Sequence, residues 1–413
     1  MGKNKIIIFN NACRGAVYGV GTYIKNLSAS LEDSNMDFAF VNLYSKGESF
    51  TKTIENGRMT INIPSVNYNN KYGAKRYARN VSFLLCEFIT HDKDEKLIFH
   101  LNFMTAPELV IALKKMYPKS KILLVAHYTN WSFSLLGDKR RLYEILEKPV
   151  PKRNLIEKRI VSEFKADIRM IKKVDKFVCV AGHTLEPFIR YGGIDKSKCK
   201  VISNALDDEY IDITHESRQE LRRKYRISEE EEVILFVGRL DVVKGIGLLL
   251  NSFDKILDTH PKAHLYLVGD GDFNTWFHLS KNNWSHISFT GHLNKQQVTD
   301  FYNIADVGII PSLHEEFGLV AIEMMMYKLP IVVSDVGGLA EIVVDGETGL
   351  KVPAFYDGER RQISSDLMCE KVTQLLLDKV FAKKLAKNGR TRFLEHYENN
   401  VFKKKILNLY NEL

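Results

Sequence analysis

The chain has 413 residues, of which 45% are hydrophobic and 27% are charged, a composition typical of globular proteins with two or three domains. No apolar run approaches the roughly 18 residues that a membrane-spanning helix requires. The five cysteines lie far apart and form no Cys-x-x-Cys pair, which argues against a disulfide framework and a zinc site. Since no signal-peptide pattern follows Met1, we expect a cytoplasmic protein.

The net charge of +8 is unevenly distributed along the chain. Residues 1–204 hold 34 Lys and Arg against 19 Asp and Glu, whereas the remainder is acidic. The basic excess is concentrated in residues 139–176, which is compatible with contact to an anionic membrane, with a phosphate-bearing acceptor or with a merely solvated helix face. Nucleic acid is not expected as a partner, because the sequence has no zinc-finger spacing, RRM-type aromatic signature or Arg-Gly-rich tract.

Short Val- and Ile-rich runs alternate with helical patterns along the whole chain. The first half contains predicted strands at 5–9, 38–43, 97–100, 122–126 and 177–180. The second half contains predicted strands at 233–237, 264–268, 287–290, 307–310 and 331–333, and predicted helices at 246–257, 296–304 and 319–327. This alternation predicts parallel sheets covered by helices on both faces. We therefore predict an α/β protein with two doubly wound, Rossmann-like domains, at 1–205 and 206–397.

A glycine-rich segment follows the first predicted strand and opens a helix. It includes Gly19 and Gly21, and the free backbone N–H groups of such a helix start favour an anion. The segment does not match the dinucleotide fingerprint, because the third glycine of that pattern would fall at Ile24. NAD is therefore disfavoured, and a simple strand-to-helix turn remains an alternative.

Two cations stand at the start of the second domain, where the strand at 233–237 ends. Arg239 follows Gly238, and Lys244 directly precedes the next predicted helix. A guanidinium offers a planar fork of donors and an ammonium offers a mobile point charge. Their joint position at the carboxyl end of a strand predicts a clamp for a diphosphate, with surface salt bridges as the alternative.

Further candidate residues lie at the ends of other strands. Glu315 lies in a strand-to-helix loop, and Glu323 follows it by eight residues, slightly more than two helical turns. Two such carboxylates act as acid/base partners or accept hydrogen bonds from sugar hydroxyls, and phosphate-binding cations nearby favour sugar. His127 ends the strand at 122–126; its position alone leaves both a structural and a functional role open.

The order of motifs resembles the donor domain of retaining GT-B glycosyltransferases of family GT4, the glycosyl transferases group 1. The motifs are VGRL…KG (237–245), LVGDG (267–271), FTGHL (289–293), ADVGIIPS (305–312), EEFGLVAIE (315–323) and SDVGGLAEIVVDGETGL (334–350). The resemblance is strong over residues 230–355 and looser over residues 1–210. It implies a GT-B fold in which two domains face each other across a cleft, with a C-terminal helix at about 398–413 completing the first domain.

The resemblance also implies roles for individual residues. For the donor diphosphate it assigns Arg239 and Lys244, beside Gly238, and from the first domain Gly19 and Gly21. For the nucleoside it assigns Glu323 to the ribose and residues Gly291, His292 and Leu293 to the base. For the transferred, reacting sugar it assigns His127 and Glu315, together with the backbone of Phe317, Gly318 and Leu319. Among these, His127, Glu315, Arg239 and Lys244 are the expected catalytic residues.

The expected reaction moves a sugar from a nucleotide-diphosphate sugar to a hydroxyl of a glycan, lipid-linked or other acceptor, with retention of anomeric configuration. No cofactor and no metal are expected, because cations and helix N-termini meet the charge of the departing diphosphate. A sugar-nucleotide 2-epimerase and a catalytically silent sugar-nucleotide binding protein are the alternatives. Peripheral contact of the basic first domain with an anionic membrane remains open.

Overall fold

The computed structural model describes residues 4–11, 19–34, 36–65, 73–90, 95–104, 107–358 and 360–413. The chain divides into two compact units, one of residues 1–204 with 400–413 and one of residues 205–399. Both units are α/β domains built on largely parallel sheets, as predicted.

The first unit contains an eight-stranded sheet in the order β3-β4-β2-β1-β5-β6-β7-β8. Its strands are β1 (Asn4–Asn11), β2 (Asp37–Ser45), β3 (Thr51–Glu55), β4 (Arg58–Pro64), β5 (Lys96–Leu101), β6 (Lys121–Ala126), β7 (Lys176–Cys179) and β8 (Cys199–Val201). The central strand β1 reads as a continuous apolar run, Ile6 to Phe9, because helices cover both faces of the sheet and leave these residues fully buried.

The second unit contains a seven-stranded sheet in the order β11-β10-β9-β12-β13-β14-β15. Its strands are β9 (Glu232–Val237), β10 (Ala263–Val268), β11 (Ile287–Gly291), β12 (Val307–Ile310), β13 (Ile331–Asp335), β14 (Leu350–Asp357) and β15 (Arg360–Ile363). All neighbours pair in parallel except β14 and β15. Since the strand order reverses between β9 and β12, the ends of these two strands form a topological switch point.

Helices connect the strands in both units. The first unit contains α1 (Gly19–Glu32), α2 (Gly73–Phe88), α3 (Pro107–Met116), α4 (Asn130–Ser134), α5 (Lys139–Glu147), α6 (Leu155–Ile171), α7 (Gly182–Arg190) and nearly all of α16 (Asn399–Glu412). The second contains α8 (His215–Lys224), α9 (Ile246–Thr259), α10 (Phe273–Ser280), α11 (Lys295–Ile304), α12 (Leu319–Met326), α13 (Gly337–Ile342), α14 (Ser365–Leu377) and α15 (Lys379–His396). Within the described ranges, no helix combines the length and apolar character needed to cross a bilayer.

Two antiparallel pairs were not expected from the sequence. Strands β3 and β4 form a hairpin at one edge of the first sheet, and β14 and β15 form one at an edge of the second. Every residue of β3 is exposed, so the strand lacks the apolar pattern by which sequence analysis recognises strands. Strand β3 is therefore defined by its hydrogen bonds to the neighbouring strand β4 and not by an apolar pattern of its own.

Candidate functional site

Four loops of the second unit meet at the carboxyl ends of its parallel strands. Main-chain hydrogen bonds join them: Gly238 N–H donates to Val268 O (2.9 Å), Gly269 N–H to Gly291 O (3.0 Å) and Leu313 N–H to Val243 O (2.7 Å). The loops after β9, β10, β11 and β12 are thereby held against each other. This frame surrounds the switch point, where a ligand of an open α/β sheet is expected to bind.

A glycine makes close approach of two loops possible. Gly245 precedes α9 with a φ of 74°, in the left-handed region, and a Cβ at this position would lie 2.0 Å from Pro311 O. Only a residue without a side chain satisfies both conditions. The start of α9 is therefore fixed against the loop after β12.

Lys244 and Glu315 meet inside this frame. The Lys244 ammonium donates a hydrogen bond to Oε2 of Glu315, and the two side chains are only 22% and 19% exposed. Asp241 orients the lysine segment by accepting from Lys244 N–H (2.9 Å). The structure thus brings together two residues, 71 positions apart, that the sequence assigned separately to phosphate and to sugar.

Arg239, the other predicted cation, is oriented differently. Its guanidinium binds Asp241 at 3.1 Å, and its side chain is 60% exposed. Asp241 therefore holds the main chain of one predicted clamp residue and the side chain of the other. A long exposed guanidinium pairs weakly with its partner, so an anionic ligand can compete for it.

The loop that carries Glu315 is fixed by its neighbours. Gly338 N–H donates to Glu315 O (2.9 Å), and the buried Ser312 hydroxyl lies 3.5 Å from Oε2 of Glu315. Phe317 is buried and packs edge-on against Tyr397 at 6.0 Å. Gly318, with a φ of 113°, begins α12, so the amides of residues 317–319 occupy the helix start that was predicted to face the sugar.

Glu323 lies farther along α12 and contacts a residue that the sequence analysis did not single out. The Tyr302 hydroxyl donates to Oε2 of Glu323 at 2.6 Å, and the Tyr302 ring stacks on Tyr327. Burial raises the pKa of Glu323, while the bond from Tyr302 lowers it. The carboxylate can still accept further hydrogen bonds, because it has two oxygens.

The remaining predicted residues of the second unit follow β11. Gly291 has a φ of 70° and ends the strand, His292 is exposed, and Leu293 is half-buried. The carboxylates of the Asp270-Gly-Asp272 segment are used locally: Asp272 accepts from Thr275 N–H and from the Thr275 hydroxyl at the start of α10. Asp270 accepts from Gly271 N–H.

His127 directly follows β6 in the first unit. Its ring stands edge-on to Tyr23 at 4.5 Å, and it is 8% exposed. Burial lowers the pKa of His127 to about 3, so its imidazole is neutral at physiological pH. Its Nε2 atom has no hydrogen-bond partner among the described residues. Of the predicted glycine turn, Gly19 and Gly21 form the first turn of α1, and residues 12–18 lie outside the described residues.

A row of asparagines in the first unit was missed by the sequence analysis. Near the carboxyl ends of β5, β1, β2 and β4, the Asn102 amide donates to Asn10 (3.0 Å), Asn10 to Asn42 (3.2 Å) and Asn42 to Asn62 (2.8 Å). Asn102 Oδ1 is buried and has no partner among the described residues. The recognisable signal was an asparagine near the carboxyl end of four strands, inside β1, β2 and β4 and directly after β5.

Comparison with known proteins gives one family match. Residues 217–392 match the family model described as glycosyl transferases group 1. A glycosyltransferase of Methanocaldococcus jannaschii is 33% identical over 222 residues, which cover 52% of this chain and 54% of that relative. The chain thus spans about half the length of this curated relative.

Similar folds are found along the entire chain. The sucrose-phosphate synthase of Thermosynechococcus elongatus has a TM-score of 0.74 at 19% identity, with 99% of both chains covered. The Anabaena protein HepE, solved in complex with UDP-glucose, has a TM-score of 0.70 at 14% identity and covers 99% of this chain and 100% of its own. At this level of identity, the similarity establishes the GT-B fold.

Proposed function

Since residues 217–392 of this chain match the family model of the glycosyl transferases group 1, we propose that it transfers a sugar from a nucleoside-diphosphate sugar to an acceptor hydroxyl, with retention of anomeric configuration. The observation that carries the proposal is the ion pair of Lys244 with Glu315 at the switch point. It couples a phosphate-binding cation to a sugar-binding carboxylate within one fixed frame of loops. HepE, a protein of the same fold, was solved with UDP-glucose, which supports this donor class.

In the proposed mechanism, the bond between the anomeric carbon and the diphosphate oxygen breaks while the acceptor oxygen bonds to the same face of that carbon. The diphosphate leaves with the bonding electrons, and Arg239 and Lys244 stabilise the growing negative charge. The acceptor proton moves to a departing phosphate oxygen. No protein nucleophile is needed, and we propose that no divalent ion is required.

The other predicted residues bind and orient the donor in this proposal. Glu315 and the amides of residues 317–319 hold hydroxyls of the transferred sugar, Glu323 holds the ribose, and residues 291–293 lie beside the base. His127 hydrogen-bonds the reacting sugar through its buried Nε2, and Gly19 and Gly21 approach the donor phosphates. The asparagine row offers amide donors and acceptors to acceptor hydroxyls.

The first test uses a panel of nucleotide sugars. The matching donor should raise the free energy of unfolding by about 2.7 kcal/mol at 100 times its Kd, measured by thermal denaturation. With an acceptor, NMR of the product should give the donor's anomeric configuration. A donor sugar that changes without any acceptor would identify an epimerase, and stabilisation without turnover would leave only a binding protein.

The second test removes the cations. Lys244→Ala or Arg239→Ala should lower turnover about 10²- to 10³-fold, because each removes stabilisation of the leaving group. Lys255→Ala, which removes an exposed lysine of α9 paired with Asp366, is the matched control and should leave turnover unchanged. Near-normal rates in the first two variants would exclude the clamp. Loss of activity in EDTA that Mg²⁺ restores would exclude metal independence.

A further inference from the structure

Three large apolar side chains project into solvent where α5 is joined to α6. Leu155 is 84% exposed, Val150 62% and Ile156 61%. Val150 lies in a single 3₁₀ turn between Pro149 and Pro151, and the other two begin α6. Exposure of three aliphatic side chains within seven residues leaves an apolar tip in contact with water.

The segment that carries the tip is held in place by polar contacts on its inner side. Asn154 and Glu157 form a capping box at the start of α6, with both bonds at 2.9 Å. Lys148 donates to both oxygens of the buried Glu157 at 2.9 Å, and Arg153 donates to main-chain oxygens at the end of α5. Because the backbone is fixed, the apolar side chains cannot turn inward without breaking these bonds.

Basic residues flank the tip in the sequence and continue along α6. Residues 148–173 contain nine Lys and Arg against three acidic residues. Those acidic groups contribute little free negative charge: Glu157 is bound to Lys148, Glu163 faces Arg159 at 3.7 Å, and burial raises the pKa of Asp167 to about 7. The exposed basic side chains are Lys152, Lys158, Arg159, Lys165, Arg169, Lys172 and Lys173.

We propose that this junction surface, defined as residues 148–159 with the exposed basic side chains of α6, docks on an anionic phospholipid bilayer. Val150, Leu155 and Ile156 enter the interface between headgroups and acyl chains, and the basic residues contact lipid phosphates. The bilayer is the occupant that matches both features, since it offers an apolar layer directly beneath a negatively charged one. The proposal does not rest on the proposed function, because no junction residue belongs to the candidate site.

The test is flotation of the full chain with vesicles of equal parts phosphatidylglycerol and phosphatidylcholine, compared with pure phosphatidylcholine. We expect binding to the anionic vesicles that weakens with added salt. The double variant Leu155→Ser/Ile156→Ser should lower the partition coefficient at least about tenfold, from the lost burial of two aliphatic side chains. The double variant Lys152→Glu/Lys158→Glu should lower the partition coefficient about fivefold for each substituted lysine.

Matched variants separate the junction from general effects. Ile54→Ser removes an equally exposed aliphatic side chain of β3, at 65% exposure, and Lys383→Glu/Lys384→Glu changes two exposed lysines of α15. Both controls should bind as the unaltered chain does, and all variants should keep its melting temperature.

Three outcomes would overturn the proposal. The first is failure of the unaltered chain to float with anionic vesicles at low salt. The second is an equal loss of binding in the controls and in the junction variants. The third is self-association, seen by sedimentation velocity and removed by Leu155→Ser/Ile156→Ser, without vesicle binding; it would identify a second copy of the chain as the occupant.

Discussion

Individual buried side chains connect the interior of the first unit to its last helix. His100 is fully buried, with Nδ1 hydrogen-bonded to the Tyr410 hydroxyl (2.5 Å) and Nε2 to the Tyr23 hydroxyl (3.4 Å). Tyr23 in turn packs against His127. Burial lowers the pKa of His100 to about 3, with a smaller contribution from His127, and burial does the same for His127. Both imidazoles are therefore held neutral.

This burial predicts a loss of stability in acid. In the unfolded chain each histidine takes up a proton near its ordinary pKa of 6.5, whereas in the folded chain it does so only near 3. Stability contributed by the neutral form is therefore present above pH 6.5 and is lost as the pH falls from 6.5 towards 3. Each histidine should contribute a slope of about 1.4 kcal/mol per pH unit to the free energy of unfolding.

The measurement is urea unfolding between pH 6.5 and pH 5, where most carboxylates remain ionised. His127→Gln should reduce the slope by the contribution of one histidine, and His278→Gln, at an exposed position of α10, should not change it. An unaltered slope in His127→Gln would mean that the folded chain protonates this ring readily.

The strand ends of the second unit position the candidate site through main-chain contacts more than through side chains. The loop after β9 contacts the loop after β12 where Gly245 approaches Pro311, and it contacts the end of β10 where Gly238 N–H donates to Val268 O. The helices that follow, α9 and α12, are each directly preceded by a glycine with positive φ, Gly245 and Gly318. Each strand, turn and helix start therefore acts as one unit in placing Lys244 and Glu315.

Two glycines allow this arrangement to be tested. Gly245 and Gly346 have nearly the same φ, 74° and 73°, but a Cβ on Gly346 would meet nothing within 4 Å. Gly346→Ala should therefore cost about 1–2 kcal/mol of unfolding free energy, from backbone strain alone. Gly245→Ala should cost clearly more, because its Cβ must also displace the main chain at Pro311. Equal losses in denaturant unfolding would contradict the close approach.

The first unit is not continuous in sequence, because the last helix of the chain belongs to it. Phe402, Ile406, Leu409 and Tyr410 of α16 are all buried there, and Phe402 packs against Tyr23 at 5.3 Å. The fold of the first unit is therefore complete only when the C-terminal segment is present.

Substitutions in α16 should accordingly destabilise the N-terminal unit. Ile406→Ala should cost about 2–5 kcal/mol, as expected for a fully buried aliphatic side chain. Hydrogen exchange followed by mass spectrometry should accelerate in β1 and β5 and remain unchanged in β9 and β12. Lys405→Ala, on the exposed face of α16, is the control. Faster exchange confined to the second unit would contradict the prediction, because it would show that α16 stabilises the second unit and not the first.

Local patterns were sufficient to predict the fold class and the place of the candidate residues. Apolar runs such as 6–9 and 233–236 predict buried strands, and glycines at strand ends predict ligand-binding turns, because both depend on a few consecutive residues. The motif order predicted a resemblance to the group 1 glycosyltransferases, and residues 217–392 match the model of that family. The assigned roles of Arg239, Lys244, Glu315 and Glu323 stay predictions.

Pairings between distant residues required the folded chain. The bond of Lys244 to Glu315, the bond of Tyr302 to Glu323 and the asparagine row across four strands join residues whose separation in sequence carries no pattern. The exposed strand β3 and the apolar tip at Leu155 likewise have no distinctive local signal. Strand register and helix packing decide which side chains meet, and these depend on contacts summed over the whole domain.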